Sequence, residues 1–450
     1  MRNEITDALK SPGADYIEIR IEENKITRLV YRGKRLEEVG RTSSLGGNVR
    51  AFVKGGWGFV SFNDTHNLKD SAKLAIKEAQ LTAKEDFSLF PTEPIVEVVT
   101  APKKGPSLSL APKKQLLDEY NDIILSTPGI RTSNIGYGDS QKKTTFANSE
   151  GTYIEQTRAD INLRLTAIAG KNGEVQQVGL SIGSLGDFSV MEGLQGQVKQ
   201  LAQRAIALLS APQAKGGEYT VVLDPILAGV FAHEAFGHLS EADHVYENQK
   251  LREIMVLGRR FGNKHLNIVD GAAVPGLRGS YKYDDEGIPA TKTYLIREGI
   301  LESRLHSRET AAKMGEKATG NARAINYSFP PIVRMTNTYI ESNSLSFGDI
   351  IADIKEGIYA RDWYGGTTSL EMFTFSAGEA YMIRNGKVAE LLRPVVLSGN
   401  VFATLGNIDA IGNDLEMNQG GGCGKRGQMP LPVSNGSPHI RINRCLVGGS

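Results

Sequence analysis

Two imidazoles and a carboxylate stand together in Phe231-Ala232-His233-Glu234-Ala235-Phe236-Gly237-His238-Leu239. Neutral imidazoles are metal ligands, and a carboxylate beside them can deprotonate water, so the chemistry on offer is metal-assisted hydrolysis. The familiar spacing for that work, His-Glu-x-x-His, sets its ligands at i and i+4, about 40° apart on a helix turning about 100° per residue. Here the spacing is i and i+5, about 140° on an unbroken helix, which is too wide for one ion. The helix must therefore widen or end early, and Gly237 is the residue expected to permit it. Two alternatives stand beside this reading. The histidines are separately satisfied, or a regular helix makes Glu234 and His238 the ligands and leaves no carboxylate to activate water.

A zinc ion takes a third protein ligand and keeps a fourth position for water. Cys423, Glu241, Asp243, His244, His265 and His439 are candidates. His244 lies roughly 16 Å along a continuous helix from His233, a poor position. Glu241 and Asp243 are better suited to orienting the imidazoles. Cys423 sits in Gly420-Gly421-Gly422-Cys423-Gly424-Lys425-Arg426-Gly427, whose glycines permit a tight backbone path to a metal, although a lone cysteine is most often a small buried hydrophobe. That segment lacks the Gly-x-x-x-x-Gly-Lys-Ser/Thr spacing of a phosphate cradle. Tyr327, Tyr339, Arg323 and Asn321 are polar candidates for stabilising an oxyanion, each read as structural first.

The elements that must position these groups follow from periodicity. Ile17, Ile19 and Ile21 alternate as in a half-buried antiparallel strand, with similar runs at 26–31 and 47–62. Leu68, Ala72, Leu74, Ala75, Ala79 and Leu81 predict an amphipathic helix over 66–84. A surface loop is expected over 91–114, then a helix at 114–126, and another at 191–209. Ser210-Ala211-Pro212 and Gly216-Gly217 mark a boundary between two domains, 1–212 and 213–450. Tyr219 to Leu223 reads as a buried strand, and Asp224-Pro225 as the cap and first residue of the motif helix. The rest is short strands and glycine turns, with a helical segment near 347–359. The fold class expected is α+β, with an N-terminal antiparallel sheet and helices and a strand-rich C-terminal domain carrying the metal helix.

Composition narrows the function. With 52 Lys+Arg against 51 Asp+Glu, the net charge of +1 offers no global field for a phosphate backbone. No apolar run reaches the roughly 18 residues of a membrane span. The N-terminus has no apolar stretch of the kind a secretory signal needs. Neither nucleic acid nor membrane is expected as a partner, and a cytoplasmic protein is. Two cysteines, Cys423 and Cys445, build no disulfide framework.

The motif helix resembles the HExxxH helix of the TldD branch of the TldD/PmbA (TldE) metallopeptidases. The resemblance continues in order through Arg278-Gly279-Ser280, Asp284 to Pro289, Thr319 to Arg323, Arg334 to Thr338, Gly378 to Tyr381 and Cys423-Gly424-Lys425, and it covers essentially the whole chain. It implies a cytoplasmic zinc metalloprotease that hydrolyses unfolded polypeptides or short peptides. It also implies that His233, His238 and Cys423 hold Zn2+, with Glu234 as general base. A PmbA/TldE-like sister subunit, or a second copy of the chain, is the implied dimer partner. Cys445 has no role in the resemblance and is read as incidental. The alternative is a regulatory, gyrase-modulator-like protein acting through protein contacts.

Overall fold

The structure is a computed structural model that describes residues 1–83, 87–100, 108–369 and 371–449. In its first sheet, β1 (Tyr16–Arg32) pairs antiparallel with β2 (Arg35–Val53), and β2 with β3 (Gly56–Phe62). On the far side of β1 lie β5 (Ile130–Asn148) and then β6 (Tyr153–Lys171), which is flanked along different stretches by β4 (Val96–Val99) and β7 (Glu174–Ser184). Helices α1 (Arg2–Leu9) and α2 (Leu68–Thr82) cover one end of the sheet. Helices α3 (Leu110–Ser126) and α4 (Gln195–Leu208) cover the other. The class is α+β.

Several local expectations need correction. Tyr16 to Glu22 is buried on both faces, not half-buried. Ile17, Ile19 and Ile21 meet the helices, while Glu18, Arg20 and Glu22 are covered by the C-terminal half of the chain. Within α2 the buried stripe is Leu68, Ala72, Ala75, Ile76 and Ala79, so Leu74 and Leu81 lie outside it and are exposed. Inside the expected loop 91–114, Val96–Val99 pairs parallel with β6 and α3 begins at Leu110, four residues early; residues 101–107, like Lys84 of the expected first helix, lie outside the described residues. The helix expected at 191–209 starts at Gln195, behind a short turn at Phe188–Met191. The helix near 347 ends at Ile351, because Tyr359 belongs to a strand whose neighbours claim its backbone.

In the second half, Ile300–Leu301, Thr293–Arg297, Ile268–Asp270, Asn337–Ile340, Ser434–Ser437 and Glu416–Asn418 form one sheet in that order. A further set closes on itself. Glu356–Ser369 pairs with β8 (Gly217–Leu223), β8 with Ile440–Gly449, that strand with Val395–Asn400, then with Met372–Arg384, which returns to Glu356–Ser369. Between the two sheets runs α5 (Pro225–Phe231), the start of the motif helix, packed on Glu356–Ser369 and on Ser434–Ser437. Phe231 meets Phe373 and Phe375 edge to face, fixing that helix in the core. Among the described residues, no helix is long and apolar enough to cross a membrane.

Candidate metal centre

Asp224 opens α5 as the sequence predicts, its side chain accepting the Leu227 N–H at 2.8 Å, with Pro225 in the first turn. The α-helical ladder then stops at Phe231, and Ala232–Gly237 follows as a π-helical turn. Its defining bond runs between the two histidines, from the His238 N–H to the His233 carbonyl. An i to i+5 bond seats residue i+5 above residue i, which resolves the spacing problem without ending the helix. The imidazole centroids are 5.3 Å apart, at 82° to one another.

Gly237 acts differently from the expectation. Its φ of −57° and ψ of −50° are ordinary right-handed values open to any residue. A Cβ there would stand 2.0 Å from the Met335 sulfur, so glycine is present for close packing, not for torsional freedom.

Cys423 comes from a hairpin of Gly422–Lys425 and Gln428–Pro432. Arg426 and Gly427 at its tip have φ of 49° and 77°, as a two-residue type I′ turn requires. The buried guanidinium of Arg334 fastens the hairpin, donating to the Cys423 carbonyl at 2.8 Å and to that of Gln428 at 3.1 Å. His233, His238 and Cys423 come together, with one donor atom from each lying within 4.8 Å of the other two. Cys423 Sγ is 3.5 Å from His238 Nε2. Burial opposes charge on all three, yet Cys423 draws the His233 imidazole above its ordinary range, and the Glu241 carboxylate draws His238 well above its own. The same imidazoles, His233 first, hold the Cys423 thiol well below its usual range against its burial, so the sulfur favours the thiolate a metal needs.

This donor set fits a metal ion. His233 Nδ1 is buried with no hydrogen-bond partner among the described residues, a condition native proteins rarely leave without a reason. His238 Nδ1 is 3.0 Å from Glu241 Oε2, the carboxylate backing that orients ligand histidines. Two imidazoles and a thiolate are borderline-soft ligands suited to zinc.

A cleft of about 710 Å³ opens beside the cluster. Glu234, His238, Leu239, His244 and Glu247 line it from the helical side, Gly424 to Arg426 from the hairpin, and Gly366 to Thr368 from a strand of the closed set. Glu234 Oε2 is 3.9 Å from His238 Nε2.

The other candidates fall elsewhere. His265 is exposed, and His439 is held by Asp414 at 2.6 Å and Tyr359 at 2.8 Å. His244 does border the cleft, because the helix breaks at Glu241, where ψ is 114°, and the 16 Å figure assumed a straight continuation. Glu241 backs an imidazole as expected; Asp243 instead accepts from Lys425 at 2.7 Å. Asn321 and Arg323 are consumed by Asp270 and by the carbonyls of Arg334, Met335 and Pro432, while Tyr327 donates to Asn63. Lys425 and the strand at 366–368 escaped the sequence reading. For Lys425 a signal existed, since two residues after Cys423 on a strand it shares the buried face.

Three models of one family match the chain. The PmbA/TldA metallopeptidase domain 1 matches residues 17–79, the central domain 103–209 and the C-terminal domain 216–449. The chain belongs to the PmbA/TldA metallopeptidase family. Within it, a metalloprotease of Synechocystis sp. is 49% identical over 441 residues, covering 97% of this chain and 95% of that protein. A zinc metalloprotease TldD homolog of Saccharolobus solfataricus is 30% identical over 449 residues, covering 97% of each. Among solved structures, TldE from Thermococcus kodakarensis superposes with a TM-score of 0.78 at 17% identity. A Thermotoga maritima protein named as a modulator of a DNA gyrase superposes with 0.81 at 21%. Each of these two covers 100% of both chains and bears on the fold alone.

Proposed function

We propose that this metallopeptidase uses zinc held by His233, His238 and Cys423 to hydrolyse peptide bonds of unfolded polypeptides or short peptides, with Glu234 as general base. The observation that carries the reading is the convergence of three donors within 4.8 Å beside a cleft that Glu234 lines. A zinc ion so bound supplies Lewis acidity, acidifying water toward a pKa of roughly 7 and polarising a carbonyl oxygen. Glu234, its side chain 29% exposed in the cleft, takes the proton of the attacking water and returns it to the leaving amine. Glu241 holds the His238 ring in place throughout.

The strand Glu356–Ser369 supports the proposed substrate class. It pairs with Met372–Arg384 along its length, but with β8 only at Gly357–Ala360. Among the described residues, its second edge therefore continues unpaired toward Gly366, Thr367 and Thr368, which line the cleft, and the buried Thr368 hydroxyl has no partner. An extended peptide added to that edge gains main-chain hydrogen bonds with little sequence choice. A folded protein cannot offer such a segment, so denatured chains are the expected substrates. A TldE-like sister or a second copy is the partner proposed, in the cytoplasm, where a reduced Cys423 persists.

Metal analysis with peptidase assay tests the reading. Glu234→Ala is expected to keep the metal and lose activity, and Cys423→Ser to lose both. A native chain that binds no zinc, or a Glu234→Ala variant with full activity, overturns it.

A further inference from the structure

The hairpin that carries Cys423 and the helix that carries the histidines lie 185 residues apart in sequence, and hairpins set on a two-residue turn hold no position by themselves. Lys425 joins them. Its side chain is 3% exposed, and its ammonium meets Asp243 Oδ1 at 2.7 Å, the Val333 carbonyl at 2.9 Å and Glu241 Oε2 at 3.0 Å. Two hydrogen bonds and one ion pair thus hold the ammonium, all to groups outside the hairpin. One acceptor, Glu241 Oε2, is the same oxygen that faces His238 Nδ1.

We infer that Lys425 is a positioning residue of the metal centre, a brace that fixes the thiolate of Cys423 against the imidazole of His238 without touching the ion. This rests on the zinc-site reading above and adds what sets its geometry. The physical case is the absence of slack. Cys423 and Lys425 face the same way from one strand, so a lysine locked at three points leaves the sulfur two residues away little room to retreat. A lysine needed only for solubility or net charge has no cause to be buried, since desolvating an ammonium is costly unless each proton is matched. Arg334 complements the brace by holding the hairpin's carbonyls, but it makes no contact with Glu241 or Asp243 among the described residues. Lys425 reaches from the hairpin to Glu241 and Asp243, just past the histidines, from a buried position, whereas Arg426 at the exposed tip pairs with Glu247.

The test compares the full-length chain with Lys425→Met and Asp243→Asn, using cobalt(II) as the probe metal. Lys425→Met is expected to bind cobalt about 10- to 100-fold more weakly, as removal of a group behind a ligand typically does, and to weaken the thiolate-to-cobalt charge-transfer band. Asp243→Asn, which keeps an acceptor oxygen but removes the opposite charge, shifts both in the same direction by less. In metal-free protein, Cys423 alkylation should be faster in Lys425→Met, with Cys423→Ser correcting for Cys445. Cobalt affinity, band and alkylation rate all equal to wild type in a folded Lys425→Met overturn the brace. If Lys425→Met does not fold, Asp243→Asn decides by the same readouts. A wild-type chain that binds no cobalt sinks the zinc reading instead, and the alkylation rates still decide whether Lys425 holds the hairpin.

Discussion

Two regions of the molecule bury charge, and they do so to different ends. Between the first sheet and the C-terminal half, Arg50 meets Glu18 at 2.8 Å and Glu286 at 3.2 Å, and Arg20 meets Asp285 at 3.1 Å. Lys142 faces Glu22, and Arg308 faces Glu150. Every charge in this network has an opposite charge opposite it, and none of these residues lines the large cleft. At the candidate metal centre, by contrast, two imidazoles and a thiol face one another, and a cleft stands alongside. Burial and charge density alone do not separate a working site from a joint between layers. Metal-ligating side chains converging next to open space do.

Mutation in the charge network separates the two regions most strongly. Arg50→Met leaves Glu18 and Glu286 buried without their cation and should cost about 3–5 kcal/mol of stability, with metal affinity unchanged. Chemical denaturation alongside metal titration reads both, and an Arg50→Met protein that loses its metal while remaining as stable as wild type would erase the distinction.

Asp224 sharpens the comparison as a buried carboxylate that caps the site helix. Burial, then the nearby Asp362 carboxylate, pushes its carboxyl up to about 7. The folded state therefore holds a proton that the unfolded chain releases near pH 4, so this group's contribution to stability falls as pH rises from about 4 to about 7, by about 4 kcal/mol at most. Asn in its place keeps the cap and removes the titration. Denaturation of wild type and Asp224→Asn across that window should show the amide gaining relative stability as pH rises. A constant difference refutes the assignment.

The smallest effect concerns Gly237. Were the residue there for torsional freedom alone, alanine in its right-handed conformation would stabilise the helix by up to about 1 kcal/mol. The contact with Met335 predicts the opposite sign, a loss of about 1–3 kcal/mol from overpacking. Thermal unfolding of Gly237→Ala gives the sign directly.

Legibility followed the range of the forces involved. Strand alternation in β1, the Asp224 cap and the strain in an i, i+5 histidine pair are local properties, and each was readable from neighbouring residues. The half-buried reading of β1 failed because Arg20 and Glu22 find partners near residues 285 and 326–329, and Glu18 finds Arg50, itself paired with Glu286, all beyond a window around Tyr16. The helix expected to reach Tyr359 failed for the same reason, since β8, more than 130 residues earlier, takes its backbone into a sheet. His244 was set aside by assuming a straight helix, and the break at Glu241 reverses that.

By itself the sequence determined which groups could do chemistry and that the helix bearing them had to depart from α geometry, because residue type and rotation per residue are fixed by covalent structure. Only the tertiary structure decided how the departure is made, that Glu241 and Lys425 stand behind the site, and which edge borders the cleft. Those outcomes depend on side chains meeting across nearly two hundred residues of chain, where packing and the pairing of buried charge select one arrangement that no local pattern encodes.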